Sequence, residues 1–303
     1  MAEKGIQKED ELLIKLFEKK NTPYIIVYNK CDLINSFKEL KSNEIYVSAV
    51  ENKNIFELKE KIGAFSKVKT EKRVIVSDLV TEGDIVILVT PIDESAPKGR
   101  IILPQQMTLR ELLDSNCTAI VCQPSELKGT INALKNKPRL VITDSQVFGF
   151  VSKALSDDIP LTSFSILMAR YKGDLETLVN GAVALKGIKD GDKILISEGC
   201  THHRQCNDIG TVKIPDWIKK YTNAEPEFVF TSGGEFPRDL SGVSLVVHCG
   251  GCMLNEKEMK SRMEFCKESS TPIVNYGVAI AAMNGILKRS LEVFPDLLEK
   301  ISL

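Results

Sequence analysis

Short apolar segments alternate with amphipathic ones along most of this 303-residue chain, and this alternation restricts the fold more than any other feature. Segments such as Ile85–Val89 and Leu140–Thr143 are almost entirely apolar and rich in β-branched residues, as are strands buried on both faces. The segments between them have the periodicity of amphipathic helices. Strands that alternate with helices pair into parallel sheets. The sequence therefore predicts an α/β, multi-domain fold of parallel sheets flanked by helices.

The pattern divides into three predicted domains, at residues 1–67, 68–160 and 161–303. The first domain has the order helix, strand, strand, helix, and a charged stretch at 67–73 has the composition of a linker. The other two domains alternate strand and helix throughout. Strands are predicted at residues 24–28, 44–47, 85–89, 119–122, 140–143, 193–196, 227–230, 243–247 and 272–274.

The charges of the chain are balanced, because 40 Lys and Arg residues face 41 Asp and Glu residues. A net charge of −1 gives no strong field, so neither nucleic acid nor a membrane is expected as a partner. No segment has the roughly 18–20 apolar residues that span a bilayer, and the first residues lack the apolar run of a signal peptide. We therefore expect a cytoplasmic protein. Disulfides are rare in the cytoplasm, so the eight cysteines need another explanation.

Two short segments collect cysteine and histidine, and both follow predicted strands. All three histidines of the chain lie in them. In open parallel sheets, ligands bind in the crevice beyond the carboxyl ends of the strands, so the two segments are expected to meet there. Their residues are Cys200, Thr201, His202 and His203, and then His248, Cys249, Gly250, Gly251 and Cys252.

Three thiolates, from Cys200, Cys249 and Cys252, suit an iron–sulfur cluster because soft sulfur ligands select such clusters. In a [4Fe-4S] cluster, three cysteine ligands leave one iron open to another ligand. His202 and His248 are candidates for that position or for contacts around the cluster, and Cys206 is a further candidate or an unliganded thiol. A structural Cys₃His zinc site and buried cysteines without metal are the competing interpretations. The remaining cysteines are expected to be structural.

Residues 24–33 resemble the guanine-recognition motif of small GTPases, in which a buried strand is followed by Asn-Lys-x-Asp. The resemblance implies that the Asp32 carboxylate accepts hydrogen bonds from guanine, that Asn29 holds the loop and that the Lys30 stem covers the base. The next strand ends in Ser48 and Ala49, similar to the companion Ser-Ala motif, although the family commonly has Lys where this chain has Val50. An ordinary turn is the alternative.

GTP hydrolysis needs a phosphate-binding Gly-x-x-x-x-Gly-Lys-Ser/Thr loop and residues that hold magnesium. These 303 residues contain no such loop. We therefore expect that the first half of a GTPase domain is absent, that GTP and magnesium bind only in a full-length form, and that this chain does not hydrolyse GTP.

Taken together, the GTPase-like segment, the middle α/β unit and the Cys-x-His…His-Cys-x-x-Cys motif resemble the HydF family of [FeFe]-hydrogenase maturation GTPases and scaffolds. Here 45 residues separate His202 from His248. The resemblance implies GTPase, dimerisation and cluster-binding domains, and a [4Fe-4S] cluster on Cys200, Cys249 and Cys252 with one exchangeable iron position. Because some members have an acidic residue shortly after the first motif, Asn207 and Asp208 join the candidate ligands.

The same resemblance implies a role as a scaffold in metallocofactor assembly. A homodimer would receive a diiron precursor made by two radical-enzyme maturases and pass it to the hydrogenase apoprotein. Two other functions fit the same residues. The protein would be an electron-transfer iron–sulfur protein if a fourth cysteine closed the cluster, or a zinc-stabilised regulatory GTPase fragment if the metal were zinc.

Overall fold

In the described part of the computed structural model, neighbouring strands of each sheet are parallel and helices connect most of the strands, so the predicted α/β class is confirmed. The structure describes residues 1–19, 22–66, 73–92, 99, 101–199, 208–251 and 253–300. The chain forms two units, Met1–Arg73 and Val74–Leu303.

The first unit is a small two-stranded sheet with two helices. Its elements are α1 (Lys8–Lys19), β1 (Ile26–Tyr28), β2 (Glu44–Tyr46) and α2 (Ile55–Ser66). The strand β2 is buried along its whole length. By contrast, α1 buries none of its residues, and Leu12, Leu13 and Leu16 on this helix are exposed. Most of the predicted linker at 67–73 lies outside the described residues.

The second unit begins with a four-stranded sheet in the order β4-β3-β5-β6. Its central strands β3 and β5 are almost completely buried between layers of helices, which explains their unbroken apolar sequences. The elements are β3 (Ile85–Val89), α3 (Leu103–Asp114), β4 (Thr118–Cys122), α4 (Leu127–Ala133), β5 (Leu140–Thr143), α5 (Phe148–Ala154), β6 (Leu161–Ser163) and α6 (Phe164–Lys172).

A second four-stranded sheet follows, in the order β10-β9-β7-β8. Helix α7 lies close against β10, because a Cβ atom placed on Gly181 would come within 1.9 Å of the Ile273 carbonyl oxygen. The elements are α7 (Leu175–Ala184), β7 (Lys193–Glu198), α8 (Ile214–Thr222), β8 (Glu227–Ser232), β9 (Val243–His248), α9 (Glu256–Glu268), β10 (Ile273–Asn275), α10 (Tyr276–Met283), α11 (Leu287–Ser290) and α12 (Pro295–Lys300).

Helix α11, which follows the second sheet, contacts the first sheet near residue 160, where a domain boundary was predicted. The strand β6 begins one residue later and pairs with β5, so the first sheet continues past that boundary. The Thr162 hydroxyl donates to the Ser290 carbonyl, and Arg289 donates to the Ile159 carbonyl. These hydrogen bonds hold α11 against β6 and the residues just before it.

Candidate functional site at the ends of β7 and β9

Gly199 and Cys249, which are described residues at the two motifs, lie where the connections of the second sheet change direction. From β7 the chain crosses to β8 on one side, and from β9 it crosses to β10 on the other. Neighbouring strands whose connections diverge leave a crevice at their carboxyl ends, the usual ligand site of open α/β sheets. Gly199 follows β7 and Cys249 follows β9 at this crevice.

The Cys249 side chain accepts two hydrogen bonds from the main chain around it. Its Sγ atom lies 3.0 Å from the Gly199 nitrogen and 3.4 Å from the Gly251 nitrogen. Its own N–H donates to the Ser197 carbonyl of β7 at 2.8 Å. Two N–H donors directed at one sulfur stabilise negative charge on it, as a thiolate ligand requires.

Gly251 has a main-chain conformation that other residues rarely adopt. Its φ angle is +60°, and a Cβ atom there would lie 2.7 Å from the Met259 Sδ atom. The neighbouring Gly250 has no positive φ, is exposed and has no atom within 4 Å of such a Cβ. Only the second glycine of the pair is therefore required by the geometry of the loop.

A buried lysine holds the same loop from the other side. Lys172, the last residue of α6, is 9% exposed. Its Nζ atom donates to the Gly251 carbonyl at 2.6 Å and to the Leu254 carbonyl at 3.2 Å. These two carbonyls flank Cys252 and Met253 in the chain, so the ammonium fixes the backbone on both sides of Cys252 while adding a positive charge to the site.

His248, the last residue of β9, is completely buried, and both its ring nitrogens make hydrogen bonds. Nδ1 lies 2.7 Å from the Cys249 carbonyl oxygen, and Nε2 lies 3.0 Å from Nη1 of Arg262 on α9. Burial lowers the pKa of His248 from 6.5 to about 4, although the hydrogen bond to Cys249 acts in the opposite direction. The Arg262 guanidinium contributes further to the lowering.

The residues proposed as ligands are only partly described. Cys200, His202, Cys206, Asn207 and Cys252 lie outside the described residues. Asp208 is described, and its Oδ2 atom accepts from the backbone and hydroxyl of Thr211 at 2.9 and 3.0 Å, capping a single π-helical turn at Ile209–Lys213. Within the described part of the chain, no three His, Cys, Asp or Glu side chains come together as a metal site.

The structure adds three charged residues that the sequence pattern did not indicate. Two of them are Lys172 and Arg262. The third is Glu198, the last residue of β7, which is 3% exposed. It approaches Gly210, where a Cβ atom would lie 2.5 Å from its Oε1 and 2.3 Å from the Tyr276 hydroxyl. A charged residue next to a cysteine motif would have been a signal for Glu198. Lys172 and Arg262 are far from the motifs in sequence and gave none.

The other cysteines in the described residues are separate from this crevice. Burial raises the pKa of Cys266 to about 12, which keeps its thiol protonated. Burial also raises the pKa of Cys117 and Cys122, and Cys31 is buried in the first unit.

In the first unit, Asn29 joins the two segments of the guanine-type motif. Its Oδ1 atom accepts from the Lys30 nitrogen at 2.7 Å and from the Ala49 nitrogen at 3.4 Å. Lys30 has φ +63°, and Asp32 is exposed in the middle of the short 3₁₀ turn Cys31–Leu33. The Ser48 hydroxyl accepts from the Glu51 nitrogen at 3.2 Å. The five motif residues therefore lie on two adjoining turns.

Comparison with known proteins identifies most of the second unit. The family model described as the hydrogen maturase F dimerization domain matches residues 75–173, and that of the hydrogen maturase F tetramerization domain matches residues 176–293. The chain thus carries two oligomerisation domains of that family. None of the described helices is long and apolar enough to cross a membrane.

One further protein is similar in sequence over a short segment, and one solved structure is weakly similar to this chain. A tRNA modification GTPase, MnmE of Thermosipho melanesiensis, is 41% identical over 68 residues, which are 22% of this chain and 14% of that protein. The solved structure of the bifunctional enzyme FolD of Campylobacter jejuni aligns with 81% of this chain and with 97% of its own chain, at 13% identity and a TM-score of 0.25.

The two adjoining family matches together cover more than two thirds of the chain, and they meet between α6 and α7. The chain therefore belongs to the hydrogen maturase F (HydF) family of [FeFe]-hydrogenase maturation proteins.

Proposed function

We propose that this chain is an iron–sulfur scaffold and carrier in [FeFe]-hydrogenase maturation. It would bind a [4Fe-4S] cluster through Cys200, Cys249 and Cys252 and keep one iron position exchangeable. A diiron precursor would be held at the site and delivered to the hydrogenase apoprotein. When bound, the cluster supplies an iron with an open coordination position.

One observation carries the proposal. The two N–H groups that donate to the Cys249 sulfur belong to Gly199 and Gly251, and these residues immediately precede Cys200 and Cys252. The main chain that leads into each of the other two proposed ligands therefore contacts the Cys249 sulfur. The family membership gives independent support for a role in maturation.

The chain's own residues would supply binding and charge balance. Main-chain N–H groups and the Lys172 ammonium favour an anionic cluster, while Gly251 permits the close approach of the backbone to sulfur. The exchangeable ligand would be one of His202, His248, Cys206, Asn207 and Asp208. The Asp208 Oδ2 atom already caps a helical turn.

The partners are proposed on the same basis. The oligomerisation domains support a homodimer or a larger assembly. The two radical-enzyme maturases and the hydrogenase apoprotein would exchange the precursor with it. The guanine motif and the short similarity to a GTPase support GTP binding, with hydrolysis dependent on a phosphate loop that these 303 residues do not contain.

Anaerobic reconstitution with iron and sulfide tests the proposal. About four irons per chain are expected, with the brown colour of thiolate-to-iron charge transfer. Substitution of Cys200, Cys249 or Cys252 by Ala should abolish the cluster, while Cys266→Ala, which removes a buried thiol away from the crevice, should leave the iron content unchanged.

Other outcomes point to the competing functions. A colourless protein that takes up zinc and no iron would refute the cluster and favour a zinc-stabilised fragment. If Cys206→Ala lost the cluster as completely as Cys249→Ala, the site would be closed by four cysteines, which favours an electron-transfer role. GTP turnover by this chain would contradict the expected absence of hydrolysis.

A further inference from the structure

The hydrogen bonds of His248 are compatible with a single neutral form of its ring. A guanidinium group has only donors, so Arg262 Nη1 must donate and His248 Nε2 must accept at 3.0 Å. A carbonyl oxygen can only accept, so Nδ1 must carry the proton that it donates to the Cys249 carbonyl at 2.7 Å. Each bond requires the same tautomer, with the proton on Nδ1.

Arg262 is itself held from three directions. The residue is 2% exposed, and its Nε atom donates to Glu258 at 2.8 Å, one turn earlier on α9. Its Nη2 atom donates to the Gly233 carbonyl at 3.0 Å, just beyond β8, and its Cζ atom lies 5.0 Å from the centre of the Phe236 ring. Burying a cation is costly, so a buried guanidinium in which each nitrogen donates one hydrogen bond indicates a specific role.

We propose that Arg262 is a positioning residue of the cluster site. It fixes His248 as the Nδ1-protonated imidazole, and that N–H holds the Cys249 carbonyl and so orients the Cys249 main chain and thiolate. The proposal has a consequence for the exchangeable iron position. The Nε2 lone pair that accepts from Arg262 is unavailable to iron, so His248 is excluded as the exchangeable ligand. The cluster part of this role rests on the proposed function, whereas the tautomer does not.

The tautomer can be measured on the metal-free protein. Labelling with ¹⁵N-histidine gives only three imidazoles, and His248 is assigned by its loss in His248→Gln. Two-bond ¹H–¹⁵N spectra at neutral pH are expected to show Nδ1 protonated and Nε2 bare. A proton on Nε2, or on both nitrogens, in the wild-type protein would overturn the proposal without any variant having to fold.

Substitution then tests whether Arg262 holds the His248 ring. Arg262→Met keeps the apolar stem and removes the donor to Nε2, so the ¹⁵N resonance of Nε2 should shift to that of a bare nitrogen without this hydrogen bond, while Nδ1 keeps the proton that it donates to the Cys249 carbonyl. Lys260→Met is the matched control, because Lys260 lies on the same helix and pairs with Glu256 at 2.9 Å while 53% exposed. It should leave the His248 signals unchanged. A folded Arg262→Met protein with an unchanged Nε2 resonance would refute the role of Arg262.

The cluster provides the second readout. Loss of a residue that supports a metal ligand commonly weakens metal binding about 10- to 100-fold, so Arg262→Met should release iron to a chelator faster by about that factor. Its reduced cluster should also give an altered EPR spectrum, and Lys260→Met should match the wild type. A shifted Nε2 resonance with unchanged iron release and EPR would refute the effect on Cys249.

Two further outcomes are decisive. An iron-bound histidine nitrogen in pulsed EPR of the labelled wild type that disappears in His248→Gln would overturn the exclusion of His248 as a ligand. Failure of the wild-type protein to bind iron would overturn the proposed function, and with it the cluster role of Arg262, whereas the tautomer measurement would stand on its own.

Discussion

The two glycines between Cys249 and Cys252 provide a sharp test of the site geometry. Gly251 has φ +60° and its N–H donates to the Cys249 sulfur, whereas Gly250 has no positive φ and open space around it. We therefore expect Gly251→Ala to weaken the site and Gly250→Ala to be nearly neutral, although the two changes are chemically identical and occupy adjacent positions.

The expected cost of Gly251→Ala follows from the main-chain conformation at this position. An L-residue with a side chain in the left-handed region costs about 1–2 kcal/mol relative to glycine. The added Cβ would also lie 2.7 Å from the Met259 Sδ atom, but the end of a flexible side chain can move away at small cost. If the strain falls on the cluster-bound loop, about 1–2 kcal/mol corresponds to a loss of roughly 5- to 30-fold in cluster affinity.

Cluster retention is measured by the rate at which a chelator removes iron from the reconstituted proteins, and unfolding of the metal-free proteins in urea reports the strain itself. Gly251→Ala should lose iron faster than the wild type, and Gly250→Ala at the wild-type rate. Equal effects of the two substitutions would refute the assignment of Gly251 as the conformationally required residue.

Three other predictions concern the site loop and the packing of the rest of the second unit. Lys172→Met removes the ammonium from the two carbonyls that flank Cys252, and it should cost about 1–3 kcal/mol of unfolding free energy in urea titrations and accelerate iron release. Gly181→Ala forces a Cβ to within 1.9 Å of the Ile273 carbonyl oxygen and should lower the free energy of unfolding by about 1–3 kcal/mol or more. Gly129→Ala, in α4 with open space around it, should raise the free energy of unfolding by about 0.5–1 kcal/mol. Similar melting temperatures of the two variants would contradict the close packing of α7 on β10. Glu111→Gln weakens a carboxylate oxygen that accepts three consecutive backbone N–H groups at 2.7–2.9 Å, so thermal unfolding should occur several degrees lower, and an unchanged midpoint would show that this interaction adds nothing.

The sequence predicted the elements best where burial leaves a simple pattern. The strands Ile85–Val89 and Leu140–Thr143 have the predicted bounds because both faces are buried and flanking polar residues end them. Helix α3 starts at Leu103, and the proline at its second residue does not interrupt it because proline is compatible with the first turn of a helix.

The elements β6 and α6 were not predicted. The strand has only three residues, and α6 buries residues all around its surface, so its sequence has no amphipathic period. This is also why the boundary predicted at 160 preceded the last strand of the first sheet.

The sequence pattern likewise indicated only some of the residues of the candidate site. Cys249 and His248 could be found because rare residue types cluster after a strand, and the topology of parallel sheets indicates where strand ends meet. Lys172 and Arg262 could not, because each is one charged residue in a helix and its role depends on contacts 79 residues and 14 residues away in sequence. Such contacts are set by tertiary packing and leave no local pattern.

The bond from Lys172 to the Gly251 carbonyl has a consequence for how this protein can be dissected. Lys172 belongs to the segment that matches the dimerization domain, and Gly251 to the segment that matches the tetramerization domain. A fragment beginning at residue 176 would contain the whole Cys-x-His…His-Cys-x-x-Cys motif but lack the ammonium that holds its loop. The modules recognised by similarity are therefore not independent working parts, and a transplanted cluster domain would have to include α6.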